Sequence, residues 1–227
     1  MELISEYLET YEGRDKFLRT LSYAAKLATV FPKSEDTANK FKYFGSQMSG
    51  CRVMLRLLDD IPSLYYALTY GSGRQEPDQM IRWVEIVQNV IDIVYSPVET
   101  IAWAASHKLV SIDVNKWDNA STWFWIVSLY IAFMKSARRY NNLSEYRNLV
   151  LKNHMTELRA LNEKRNNELL TCGRMLIDLS YAISYLPPGT LWGGKLSTWQ
   201  VGALGTLSSF IALYQSLNKR IKLKKST

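Results

Sequence analysis

Residues 196–218 read LSTWQVGALGTLSSFIALYQSLN, 23 consecutive positions without a charge. A helix of that length extends about 34 Å, enough to cross a hydrocarbon core of about 30 Å with some tilt. Lys219, Arg220, Lys222, Lys224 and Lys225 follow at once. Such a basic cluster resists translocation and suits anionic headgroups. Trp199 lies near the opposite end, where an indole sits well at the lipid–water boundary. The stretch reads as a membrane anchor followed by a basic cytosolic tail, 219–227. The competing reading is a buried helix of a soluble bundle, because Ser197, Thr198, Gln200, Thr206, Ser208, Ser209, Gln215 and Ser216 dilute its apolar character. Small residues recur four apart at Gly202/Thr206, Gly205/Ser209 and Ser208/Ala212/Ser216. One face is therefore smooth, and Gly202, Gly205 and Ser209 are the expected helix-packing positions.

Of the net charge of +7 over 227 residues, the cluster from Lys219 onward carries five, leaving +2 elsewhere. Basicity so localised favours a membrane surface over nucleic acid, and no nucleic-acid partner is expected. Cys51 and Cys172 stand too far apart to suggest a disulfide framework or a zinc site, so a reducing compartment is expected. The opening MELISEYLETYE, with Glu2, Glu6, Glu9 and Glu12, reads as neither a secretory signal nor an arginine-rich presequence. Lys224 and Lys225 occupy the fourth and third positions from the end, the spacing of a dilysine retrieval signal for coat proteins. The alternative is that they simply belong to the basic cluster.

A second uncharged run, 119–134, contains WFWIVSLYIAFM. Sixteen residues reach only about 24 Å, so a span requires Lys135 to snorkel and the helix to continue to Ala137. Trp117, Trp123 and Trp125 gather at one end and Lys135, Arg138 and Arg139 at the other, as interfacial belts require. The expected organisation is all-α: an amphipathic helical region on the cytosolic side (1–118), a first transmembrane helix (119–137), a charged helix and Pro-Pro-Gly turn (138–195), a second transmembrane helix (196–218) and the tail. Strand-type alternation is absent.

Within the first region, a helix is expected over about 3–31, interrupted at Gly13 and closed by Pro32. The most regular pattern follows it. Phe41, Phe44, Met48, Cys51, Leu55 and Leu58 recur at steps of three and four, with Lys42, Gly45, Ser49, Arg52 and Arg56 beside them. A basic border along an apolar line suits a helix lying in the membrane plane, its arginines reaching phosphates. Packing against Phe17 and Leu21 of the preceding helix is the equal alternative. Asp78 caps a helix over about 79–95, and Ser96-Pro97 is expected to break it before 99–107.

Residues that carry chemistry are scarce. Neither His107 nor His154 sits four residues from another ligand-type side chain in a recognisable metal pattern, Asp59 and Asp60 point about 100° apart on a helix, and the Gly71-Ser72-Gly73 loop is too short to cradle phosphate. No catalytic residue, cofactor or metal is expected.

Four stretches carry a family resemblance: GRDKF from Gly13 with YAAKL from Tyr23; CRVMLRLLDD from Cys51; PVETIAWAA from Pro97; and LPPGTLW from Leu186, running on through Gly202, Gly205 and Ser208-Ser209 to Tyr214-Gln215. Together they span nearly the whole chain, and the sequence resembles the peroxin-11 family of peroxisomal membrane proteins, within it the gamma-type branch. The resemblance implies a multi-pass protein of the peroxisomal membrane with both termini cytosolic, promoting protrusion and elongation before division. It implies as partners the phospholipid membrane, further copies and sister peroxin-11 isoforms, and the tail-anchored fission adaptor. It assigns the lipid-remodelling helix to 41–58, chiefly Arg52 and Arg56. Two other classes stay open: a pore for small metabolites, with Asp92 and Glu99 as its lining, and a soluble helical adaptor.

Overall fold

The computed structural model describes residues 2–57, 59–150 and 155–226. Among them are eight helices and no strand: α1 (Glu2–Leu8), α2 (Tyr11–Ala28), α3 (Glu35–Arg56), α4 (Asp60–Tyr70), α5 (Gln79–Ser106), α6 (Val114–Val150), α7 (Met155–Ser184) and α8 (Thr198–Ser226). The chain divides into two units, Met1–Leu57 with Ser180–Thr227, and Leu58–Leu179. The expected boundary at 118/119 falls inside α6, and the expected tail forms the last turns of α8.

In unit 1 the first expected helix is two. The break comes before Gly13, because Thr10 adopts an extended backbone and its hydroxyl accepts the Gly13 N–H at 3.2 Å. Thr10 is thus the N-cap of α2, satisfying one of the free donors at the helix start. α2 then packs on α1, α3 and α8.

The α2–α8 contact is antiparallel and very close. A Cβ built on Gly202 would lie 2.2 Å from the Leu27 backbone nitrogen, and one on Gly205 would lie 2.1 Å from the Tyr23 ring. The same register continues along both helices. Arg19 donates to Ser208 Oγ at 2.9 Å and Ser216 Oγ donates to Glu12 at 3.1 Å; beyond the start of α2, Lys224 meets Glu6 of α1 at 2.9 Å. The polar residues on this face stay satisfied while buried. Thr206 and Ser209 return their hydroxyls to the carbonyls of Gly202 and Gly205, both at 2.6 Å. The α7 end joins in: the Tyr181 ring, fully buried, lies tilted 5.2 Å from that of Tyr23, and its hydroxyl accepts from Arg19 at 3.1 Å.

In unit 2, α5 packs on α4 and α6. The predicted break at Ser96-Pro97 does not occur; α5 runs unbroken to Ser106 with Pro97 inside it. Proline removes one intrahelical hydrogen bond, and side-chain packing along α6 outweighs that local cost.

Among the described residues, no helix is long and apolar enough to cross a membrane. The first expected span, 119–137, lies inside α6, and 198–218 of the second lie inside α8, but neither stands out as an apolar helix. The cause is one-sided polarity. In α8, Thr206, Ser208, Ser209 and Ser216 are all buried and lower the mean without facing out.

Gly202→Val should therefore force α8 from α2 and cost about 1–3 kcal/mol of unfolding free energy. Gly173 has open space around its Cβ direction, so Gly173→Ala should be neutral or stabilise by up to about 1 kcal/mol. Thermal melting of the two variants checks this; equal midpoints would contradict the packing.

Candidate membrane interface

α3 meets α2 through its small and basic side. A Cβ on Gly45 would come within 3.0 Å of the Ser22 carbonyl oxygen, and Ser22 Oγ donates to the Gly45 carbonyl at 2.9 Å. Seven residues on, Arg52 Nε donates to Asp15 Oδ1 at 2.8 Å, with only 15% of the arginine side chain exposed. Arg56 is half-buried beyond it. Arg52, expected to reach lipid phosphates, ties α3 to α2 through Asp15.

The apolar line lies round the helix from that contact. Phe41, Phe44 and Cys51 are exposed, Met48 and Leu55 are half-buried, and Leu58 lies outside the described residues. Tyr43 and Met54, 69% and 58% exposed, widen the outward surface. α3 thus turns Arg52 inward and Phe41, Tyr43 and Phe44 outward, while Glu35, Asp36, Lys40 and Lys42 stay exposed.

α8 repeats this inversion. Gly202, Gly205 and Ser209 sit buried against α2, whereas Trp199, Leu207, Phe210 and Tyr214 form an exposed stripe at steps of three and four to eight. The basic end is partly engaged. Arg220 donates to the Glu6 carbonyl at 2.9 Å and covers the Tyr7 ring, and Lys224 pairs with Glu6. Lys219 and Lys222 are exposed, and the Lys225 side chain lies outside the described residues.

α5 is inverted too. Its inner face carries Glu85, Gln88, Asn89 and Ser96, all buried. Glu85 pairs with Lys135 of α6 at 2.7 Å and accepts from Tyr66 of α4 at 3.0 Å. Gln88 donates to Asp92 and to Ser128 of α6, both at 2.7 Å. Glu99 accepts from Tyr95 on its own helix at 3.1 Å. Asp92 and Glu99, the expected lining of a pore, are thus hydrogen-bonded to neighbours on α5. The outer face presents Met80, Trp83, Val87, Val90 and Val94, all exposed, at alternating steps of three and four.

Asp78 anchors the start of that helix with both oxygens. Oδ1 caps the Met80 and Ile81 N–H groups, while Oδ2 accepts from Asn142 at 2.6 Å and Arg138 at 2.8 Å. The Asn142 amide first, with the Arg138 guanidinium and the two backbone donors, holds this carboxyl at about 2. The cap was legible in the sequence. Its ties to α6, like the Asp15–Arg52 and Glu85–Lys135 pairs, carry no sequence signal until the helices are in register.

These features define an all-helical protein of two units whose α5 and α8 bury polar residues and expose apolar ones. The comparisons narrow this to a family. The family model described as Peroxisomal biogenesis factor 11 (PEX11) matches residues 1–217. Relatives include the human Peroxisomal membrane protein 11C, 32% identical over 223 residues, covering 94% of this chain and 92% of that one. The mouse Peroxisomal membrane protein 11C is also 32% identical, over 224 residues, covering 94% and 93%. The chain belongs to the peroxisomal biogenesis factor 11 family. No solved structure matches it.

Two outcomes follow from the ion pairs. Arg52→Glu should release α3 at a cost of about 1–3 kcal/mol, and adding Asp15→Arg should restore most of it; a double variant no better than the single one, by chemical denaturation, would contradict the pairing. Asp78, depressed in the folded state, stabilises unit 2 fully above its ordinary range near pH 4 and loses that contribution as pH falls towards 2. Asp78→Asn should flatten that part of the acid-melting curve.

Proposed function

We propose that this chain is seated in the peroxisomal membrane and promotes its protrusion and elongation before division. The observation that carries the reading is the inverted polarity of α5 and α8, joined by the exposed aromatic side chains of α3. A helix turning serines, glutamates and arginines into its own unit, and tryptophan, phenylalanine and valine outward, is built for an apolar surrounding. The names of its relatives support the peroxisomal membrane as that surrounding.

Mean hydropathy is a poor guide for such helices, because the polar half is satisfied by protein while only the other half meets lipid. In this reading 119–137 and 196–218 are the two spans, and both chain ends face the cytosol. The Glu6–Lys224 pair supports the last point, since it holds the first and last helices of unit 1 end to end on one side. α3, running alongside α2 through the Ser22–Gly45 and Asp15–Arg52 contacts, turns Phe41, Phe44, Met48, Cys51 and Leu55 towards the acyl chains. Aromatic bulk added on the cytosolic side expands that leaflet and favours positive curvature.

Each exposed aromatic would gain on the order of 1 kcal/mol on entering the interface, so one α3 binds weakly. Anchored spans make the wedge effectively local, and association with further copies and sister isoforms concentrates it. Recruitment of the fission adaptor completes the proposed role. Lys224 is spent on Glu6, which argues against a free dilysine signal for coat proteins.

Replacing Phe41 and Phe44 together with glutamate should leave the protein folded and membrane-bound but abolish elongation of organelles or reconstituted vesicles. Normal tubules made by that double variant would sink the wedge. Arg52→Glu is a poorer test, because it breaks a fold contact at the same time.

A further inference from the structure

Unit 2 contains a cavity of about 310 Å³ that nothing in the proposed wedge uses. Its wall combines Arg139 of α6 and Lys164 of α7 with Glu76 from the loop before α5 and Glu168 of α7, over a floor of Ile81 and Leu143. The volume is at the small end of ligand pockets. Arg139, Lys164 and Glu76 make no ion pair among the described residues, and Glu168 is held in place by Ser136 Oγ. Two cations and two carboxylates facing one space, three of them outside any ion pair among the described residues, are mismatched to a simple anion, which the glutamates would repel. They match a molecule carrying both charges.

We infer that this cavity binds an ethanolamine-phosphate zwitterion, the headgroup of phosphatidylethanolamine. The phosphate oxygens take charge-assisted hydrogen bonds from Arg139 and Lys164, and the primary ammonium donates to Glu76 and Glu168. A choline headgroup offers the same charges, but its nitrogen carries three methyl groups and no donor, so it leaves both carboxylates unsatisfied. The lipid, as opposed to a free phosphate ester, is favoured by position. Arg139 follows directly on the apolar run of α6 that ends at Met134, where Lys135 and Arg138 also lie, so the cavity opens at headgroup depth. This assignment of depth rests on the proposed membrane seat. It also gives a role to the charged segment between the two spans.

The test uses full-length protein in detergent, titrated calorimetrically with glycerophosphoethanolamine and glycerophosphocholine. The ethanolamine compound should bind about tenfold tighter, the difference expected for loss of a hydrogen bond to a charged partner. Arg139→Gln with Lys164→Gln should lower its affinity at least tenfold. Glu76→Gln should weaken it and shrink the ethanolamine preference. Because all three side chains lie at the cavity wall without ion pairs, thermal midpoints should hold within a few degrees.

Equal binding of the two compounds, or indifference to the double substitution, would overturn the site. Native mass spectrometry of protein taken from membranes separates the sources: retained phosphatidylethanolamine, lost in the double variant, supports the lipid. Binding of free phosphoethanolamine with no lipid retained would overturn the headgroup assignment. Resistance of the same protein to alkaline carbonate extraction is scored separately. Failure of the pocket with that resistance intact removes this inference and leaves the membrane seat standing.

Discussion

The approach of α8 to α2 depends on two missing side chains. With hydrogen at Gly202 and Gly205, the helices meet backbone to backbone and ring to backbone, and any Cβ there would overlap Leu27 or Tyr23. This contact fixes a register that pairs Lys26 with Gly202, Tyr23 with Gly205, Arg19 with Ser208, Glu12 with Ser216 and Glu6 with Lys224. Dispersion between close backbones gains little per atom and much in sum. It also decides which face of α8 is left outside. Once the small and hydroxylated positions are consumed, Trp199, Leu207, Phe210 and Tyr214 stay about half exposed.

The second unit reaches the same polarity by different chemistry. Here the inner face holds a charge and polar groups: Glu85 is paired with Lys135 and accepts from Tyr66, and the Gln88 amide nitrogen donates to Asp92 and Ser128. Breaking such a pair would strand a desolvated charge at a cost of about 3–5 kcal/mol, so the network specifies its geometry more than it adds stability. Valine and tryptophan on α5 are then free to face outward. In water this arrangement would waste apolar surface; against hydrocarbon it is the economical one.

Much of the helical plan was legible in the sequence, because caps and periodicity are local. The Asp78 cap, the Pro187-Pro188-Gly189 turn and the regular line of 41–55 could all be read from spacing alone. Orientation was not. The basic residues beside that line looked like a border for phosphates, yet Arg52 points inward because Asp15, 37 residues earlier, lies beneath it in the α2–α3 register. Pro97 looked like a break because proline cost is local, whereas the α6 surface that holds α5 straight is not. The runs 119–134 and 196–218 announced themselves by lacking charge, but absence of charge says nothing about where hydroxyls point. Only the packed helices distinguish Ser208, fully buried, from Leu207, half-exposed one residue before it. The cavity around Arg139 and Lys164 had no sequence signature, since its walls come from three separate elements.

The central claim is that lipid, not water or further protein, covers the outward faces. Spin labels placed singly at Val87, Val90, Leu207 and Phe210 in reconstituted protein, with Lys222 as the aqueous reference, test it most directly. The account predicts frequent collisions with dissolved oxygen and few with a water-soluble nickel chelate at the first four sites, and the reverse at Lys222. A nickel chelate that reaches Leu207 and Phe210 as freely as Lys222 would contradict it.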